Sequence, residues 1–592
     1  MKHDYANLEP KNWHVLPLDE ELLAEAVRTF PLSATTCRLL LNRGICSLNE
    51  AMSFLNPSLD DLHDPYLLED MARAVNRTCL ALERGEKIMV HGDYDVDGIT
   101  SAALLIRVLR IAGANMRWYI PHRQREGYDI SRNAVSKAYQ DGVTLIITVD
   151  CGTSAIDAIE YANSIGIDVI VTDHHQVGTK TAPAFALINP QKPNCRYPFK
   201  NLAGVGVAFK FAEALVHKLG YDRSAFRRKF CDLAAIGTVA DVVPLLGENR
   251  ILVKCGIDEL PRTGKKGLHA ILRASGLSKK SITSHSLAYV LGPRLNAAGR
   301  LDDASIALEL LLTNDESEAS RLAQILENHN RERQKEQERI TNEALELLAS
   351  DQREKVAKVL VLSSSGWHPG VVGIVANKLT DMYHRPSVLV ALDETGQTGV
   401  GSARSIAGFD IFAALLQCGH LLERYGGHAR AAGLAIAAER LQEFEDAINR
   451  VADSVLSETD LEPQLDVDAE LSIDQITSDL AHELELLEPY GYGNPVPVFV
   501  TRNSLVVQKS RVGANGDHLR LKLNTSSGTL LDCIGFGWGD RCEAFHVGSL
   551  VDVCYNIKLN RFTRPGTVQM VLCDARPANA MITEPVATST IG

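Results

Sequence analysis

No two cysteines in this chain stand at a CxxC spacing, and no apolar run approaches the length of a membrane span. The twelve cysteines are scattered from Cys37 to Cys573, which argues against a zinc ribbon and fits buried thiols in a reducing compartment better than a disulfide framework. The opening stretch MKHDYANLEPKNWHV lacks an apolar core of signal-peptide length, so a soluble cytoplasmic protein with no membrane partner is expected. Positive charge is also short: 61 Lys and Arg face 74 Asp and Glu, a net charge of −13. A polyanion therefore cannot be held by a generally basic surface and would need cations concentrated in a channel. Three local segments offer them, Arg223 to Lys229, Arg262 to Lys266 and Lys558 to Arg564, although each reads by default as a solvated face.

What is present is an ordinary globular composition, 45% hydrophobic and 23% charged, over 592 residues, enough for several domains. One stretch stands out. In HGDYDVDGIT, Asp93, Asp95 and Asp97 follow the apolar run Ile88-Met89-Val90 at alternate positions. A strand sends alternate side chains to one side, so these acids can converge where a parallel strand ends and open α/β sheets bind ligands. An Asp-rich turn opening a helix is the plain alternative. The next apolar, β-branched runs end in the same manner, Thr144–Val149 in Asp150-Cys151-Gly152 and Asp168–Thr172 in Asp173-His174-His175. Asp241 lies within the apolar segment IGTVADVVPL, where a charge needs a partner or caps a helix end. Carboxylates mixed with imidazole suit Mn²⁺ or Mg²⁺. A thiol nucleophile at Cys151 is the weaker reading beside small-residue packing.

HGDYDVDGIT, VDCG, TDHH and TVADVVPL resemble the four successive motifs of the DHH phosphoesterase superfamily. With LAGVGVAFK, LGPRLNAAGRLDD, WHPGVVGIVA, GSARSI and YGGHARAAG, in that order, the chain resembles the bacterial single-stranded-DNA-specific exonucleases of that superfamily from about Asn76 to Leu434 and onward. The resemblance implies 5′-to-3′ removal of mononucleotides by a site holding two Mn²⁺ or Mg²⁺ ions. It implies that Asp95 and Asp97 are split between the ions, that Asp150 bridges them, that His174 and Asp241 complete one shell and that Asp93 supplements the other. Asp173 would orient an imidazole, and His175 would contact the scissile phosphate or protonate the leaving group. His91 departs from the pattern of these exonucleases and is left between ligation and packing. A chain end is best gripped by guanidinium groups, and the candidates are Arg294 and Arg300, Ser402 and Arg404, and Arg123, with His428 beside the paired glycines of YGGHARAAG. A RecQ-type helicase and the single-strand-binding protein are the implied partners, and nothing demands more than a monomer.

The expected fold class is α/β. A helical segment over residues 1–75 would pack on the catalytic domain. A mostly parallel-sheet domain follows over 76–312, and a connecting helix over 313–353. Residues 354–456 resemble the smaller α/β DHH-associated domain, and an OB-fold β-barrel for single strands occupies 466–580. A disordered tail is expected over 581–592. The centre of the connecting helix, His329 to Arg339, has almost no apolar face, as befits a solvent-bridging strut. Gly292-Pro293 should interrupt any helix there, and Ser457 to Asp468 reads as an acidic linker. Two other functions stay open at this point. One is a DHH-type phosphodiesterase for cyclic dinucleotides, short oligonucleotides or pyrophosphate, the other a non-catalytic single-strand-binding scaffold.

Overall fold

The computed structural model describes residues 11–578 apart from 124, 279–280, 302, 352–356, 525–529 and 561–565. The expected disordered tail and part of the basic segment Lys558 to Arg564 lie outside the described residues. The chain divides into two compact units, one of Asn56–Ser457 with Pro489–Pro495, the other of residues up to Leu55 with Glu458–Glu488 and Val496 onward.

The first unit opens on a five-stranded, all-parallel sheet in the order Met116–Tyr119, Ile88–Gly92, Leu145–Val149, Asp168–Thr172, Ala186–Ile188. Three of these strands are buried along their whole length, which is why they read as unbroken apolar runs. Alternate side chains feed two cores. Ile88, Val90 and Ile147 pack with the helices Val96–Ile111, Gly204–Lys218 and Arg223–Ala240, whereas Met89, Ile146 and Val169 pack with Arg132–Gln140 and Ile156–Ser164. The strand order reverses between Ile88–Gly92 and Leu145–Val149, so the crevice beyond those two strand ends is a topological switch point.

The same unit contains a second sheet, Arg424–His428, Ala431–Ala437, Thr398–Arg404, Ser387–Leu392, Leu360–Ser365, parallel only in its last pair. Between the sheets runs the helix Glu316–Asp351, 36 residues and about 54 Å long. Ala319, Leu322 and Leu326 anchor its start in the first core; Ile340, Ala344 and Leu348 anchor its end against Trp367 and the helix Val372–Tyr383. Ion pairs three or four residues apart brace the exposed face, among them Glu318 with Arg321 and Arg339 with Glu336 and Glu343. The centre is not a bare solvated strut: Asn330 and Arg333 are buried and bonded to each other at 2.8 Å. Gly292-Pro293 does not end a helix either. A π turn, Leu287–Leu291, runs directly into Gly292–Leu301, and this local widening of the helix just before the proline accommodates a residue without an N–H.

In the second unit, Phe499–Val512, His518–Asn524, Leu530–Gly535, Val568–Pro577 and Leu550–Leu559 pair in sequence, and the last closes on the first to make a five-stranded barrel of OB type. Leu519, Leu521 and Leu523 fill its interior while their neighbours face outward. Two expectations are corrected here. The N-terminal segment does not all go with the parallel sheet, because residues up to Leu55 belong to the barrel's unit and only the part from Asn56 joins the sheet's unit. The supposed acidic linker contains a strand, Gln464–Val467, paired in parallel with Asn12–Val15.

Candidate metal centre and flanking arginines

The carboxylates converge because three strand ends and three helix ends meet at the switch point. Asp95 caps the helix Val96–Ile111, its Oδ1 accepting from the Gly98 amide at 3.0 Å. Two residues on, Asp97 accepts the amides of Gly204 and Val205, at 2.7 and 2.8 Å, from the opening turn of another helix. Asp150 follows its strand in a left-handed conformation, φ 62°, the sort of strain that persists where the surroundings hold a functional side chain. The Gly204 backbone presses against it so closely that a Cβ there would overlap Oδ1 of Asp150. Asp241 stands at the C-terminal end of the helix Arg223–Ala240, where the helix dipole opposes a negative charge unless a cation compensates.

His174 Nε2 lies 3.1 Å from Asp150 Oδ1, 3.6 Å from Asp241 Oδ2 and 3.9 Å from Asp97 Oδ2. Ligand atoms gather in three overlapping groups, each within 4.8 Å: Asp93 with Asp95 and Asp150; Asp97 with His174 and Asp241; Asp150 with His174 and His175. Oδ1 of Asp93, Oδ1 of Asp150, Oδ2 of Asp241 and Nε2 of His174 are buried without a hydrogen bond, including the 3.1 Å pair, whose geometry is not that of one. Burial, then repulsion among the acids, raises Asp93, Asp150 and Asp241 well above the carboxylate range and Asp97 to about 7. Burial, then the neighbouring His175, pulls His174 down to about 4, leaving it neutral, the ligand form. A donor set of this kind, orphaned and mutually repelling, fits divalent cations.

The second histidine is arranged differently. Asp173 Oδ1 accepts from the His174 and His175 amides and lies 2.8 Å from His175 Nδ1, while Oδ2 accepts from the Thr153 amide at 2.9 Å. Burial opposes charge on both groups, yet their contact outweighs it, holding Asp173 below its ordinary value and lifting His175 to about 9. Two further residues, not singled out in the sequence, serve this pair. Tyr128 Oη stands 3.0 Å from His175 Nδ1, and Asn189 Nδ2 donates to the His175 carbonyl and to Thr153 Oγ1. Tyr128 lies in the stretch PHRQREGYD, so proximity to Arg123 was the available signal; Asn189 offers none beyond its place after a strand.

His91 belongs to none of the ligand groups among the described residues. Its ring stacks on Tyr119 at 5.6 Å and meets Cys151 Sγ at 3.7 Å, and burial pulls it to about 4. The Cys151 thiol is raised well above its ordinary value by burial, then by surrounding acids, which argues against a nucleophilic role.

The candidate arginines separate into two sets. Arg300, depressed to about 9 by burial and then by Arg123, Arg333 and Arg404, feels the charge of Asp95 as well. Arg404 is lowered by burial, then Arg123. Three segments of the first unit, with the centre of the long helix, thus bring guanidinium groups together beside the carboxylates. Ser402 Oγ accepts from Arg404 at 2.9 Å, and the backbone of Gly373 leaves room for both. His428 is lowered by burial, then by Arg404 and His175, so it too faces this place. Arg294, whose charge helps lower Arg333, is also tied to the long helix. Its Nε is 2.6 Å from Glu327 Oε2 and its Nη1 donates to the Val290 carbonyl, which makes it an internal brace of the long helix. Arg333 was missed because its place in the charged repeat of that helix resembles any solvated cation.

Known proteins resemble this chain over most of its length. Residues 87–238 match the DHH family, N-terminal domain, 356–454 the DHHA1 domain, and 467–574 the RecJ OB domain. The chain is 36% identical over 563 residues to the single-stranded-DNA-specific exonuclease RecJ of Bacillus subtilis (strain 168), covering 95% of this chain and 70% of that protein. The crystal structure of RecJ in complex with Mn²⁺ from Thermus thermophilus superposes with a TM-score of 0.82 at 31% identity, covering 96% of this chain and 80% of that one. The complex with Mg²⁺ from the same organism gives 0.77 at 30% identity, covering 96% and 79%.

Proposed function

This chain belongs to the RecJ family, and from that membership we propose how its site removes nucleotides from a DNA end. It is a single-stranded-DNA-specific exonuclease, a metal-dependent hydrolase that takes Mn²⁺ or Mg²⁺. The reading of the site rests on one observation above all, the convergence of Asp93, Asp95, Asp97, Asp150, His174 and Asp241 at the switch point. Because Asp150 and His174 each belong to two of the overlapping ligand groups, the arrangement is read as holding two ions. Ions held there neutralise the scissile phosphate and activate water.

The protein's own residues do the rest. Arg123, Arg300 and Arg404, with Ser402 and His428, grip the 5′-terminal phosphate and so set 5′-to-3′ direction, their crowded positive charge being relieved by a phosphate. Asp173 keeps His175 protonated and fixed, so that it donates a proton to the departing 3′ oxygen as a 5′-mononucleotide leaves. The barrel supplies a surface for the strand beyond the cut. A cytoplasmic place is supported by twelve unpaired cysteines. Membership in the family supports work in recombination and repair, as a monomer, beside a RecQ-type helicase and the single-strand-binding protein.

The test is hydrolysis of 5′-phosphorylated single strands in Mn²⁺ or Mg²⁺, set against duplex, 5′-blocked and cyclic-dinucleotide substrates. Only the first is expected to be degraded, and Asp150→Ala is expected to abolish turnover while leaving much of the DNA affinity. Undiminished turnover by that variant would remove the assignment.

A further inference from the structure

Two of the basic segments singled out in the sequence come together far from the metal centre. Arg228 and Lys229 from one, Arg262 and Lys265 from the other, line a partly enclosed cavity of about 790 Å³ with Arg107 and Arg110. Six cationic side chains thus face two carboxylates, Asp232 and Glu259, in a protein whose overall charge is −13. The floor is already satisfied: Lys265 Nζ sits 2.8 Å from both oxygens of Asp232, which also accepts from Thr263 Oγ1, and Arg107 donates to the Leu311 carbonyl. The rim is not. Arg110 and Arg228 are exposed and have no carboxylate partner among the described residues, and Arg262 has only an exposed pair with Glu259. Beside these cations lies an apolar wall including Ile111, an exposed large aliphatic, and Leu312.

The helix Val96–Ile111 carries Asp97 in its first turn and Arg110 in its last, which separates pocket from metal ligands by about 20 Å. The helix Arg223–Ala240 repeats the arrangement in reverse, with Arg228 near its start and Asp241 at its end. The pocket is therefore no part of the metal centre. We propose that it is a second anion site, for a compact phosphate-bearing ligand of nucleotide size. Its volume lies within the range of about 300 to 1,000 Å³ common for small-molecule sites, its rim suits phosphate oxygens, and its apolar wall suits a base. A concave, partly enclosed shape favours such a ligand over a polynucleotide, which tracks along a groove.

The experiment is calorimetric titration of the full-length protein, in chelator, with inorganic tripolyphosphate and with a nucleoside triphosphate. Saturable uptake of both is expected, tighter for the nucleotide. It should weaken about tenfold or more, about 1.4 kcal/mol, in Arg110→Glu/Arg228→Glu and persist in Arg404→Gln. Exonuclease activity of the charge-reversed variant should stay close to wild type, which also certifies its fold; Arg110→Gln/Arg228→Gln serves if it does not fold. Absence of saturable uptake, loss only on Arg404→Gln, or displacement by an unphosphorylated single strand as readily as by the nucleotide would overturn the proposal.

Discussion

At the scale of single residues, the site is a set of acids that cannot all be ionised without a cation. Burial and mutual repulsion raise Asp97 to about 7 and Asp93, Asp150 and Asp241 well above their ordinary range. The folded, metal-free protein thus binds more protons than the unfolded chain, so its stability falls as pH rises through that range. Cations displace those protons and reverse the trend. Thermal melts should accordingly show a larger Tm gain from Mn²⁺ at about pH 8 than at about pH 6; an equal gain at both would contradict the shifts. Arg294 and Arg404 should part company in the same kind of measurement. Arg294→Ala breaks a largely buried pair with Glu327 and is expected to cost about 3 kcal/mol of stability, seen in denaturant unfolding, with little change in kcat. Arg404→Gln should leave stability nearly intact and raise KM for 5′-phosphorylated strands.

At the scale of elements, the strands that end in candidate ligands were legible because an apolar β-branched run followed at once by Asp is a strong contrast. Asp241 was legible as a charge within an apolar segment. The pairing of Asn12–Val15 with Gln464–Val467 was not, since nothing local marks a parallel partner so distant in the chain. Nor was the role of Arg294, whose neighbour Glu327 comes from another helix. The mistaken break at Gly292-Pro293 came from applying a helix-breaking rule where a π turn takes up the proline. The long helix, Glu316–Asp351, was read too simply in its centre, where Asn330 and Arg333 are buried. It carries anchors for both sheets, so its length sets where Arg404 stands against the carboxylates. Inserting seven residues after Lys335 would lengthen it by about 10 Å. Mn²⁺ binding by the parallel sheet should survive, while hydrolysis of 5′-phosphorylated strands should be lost; retained hydrolysis would show that the second sheet is dispensable.

At the scale of the whole molecule, the interleaving of the two units matters for how the protein can be cut. Pro489–Pro495 belongs to the catalytic unit, where the Tyr492 carbonyl accepts from the Leu245 amide at 2.8 Å and the Tyr490 carbonyl from Ser284 Oγ at 2.6 Å. A fragment ending at Ser457 leaves those donors without acceptors, at about 1 to 3 kcal/mol for each buried group. It should melt several degrees lower than the full chain and still bind Mn²⁺; an unchanged melting point would show the segment to be a passive crossing. The same interleaving orders events on the ribosome. The strand Asn12–Val15 is made well before its partner Gln464–Val467, which emerges only after roughly 450 further residues, a delay of about 20 to 90 s at ordinary rates of synthesis. The catalytic sheet can assemble during that interval, whereas the strand Asn12–Val15 must wait unpaired throughout it.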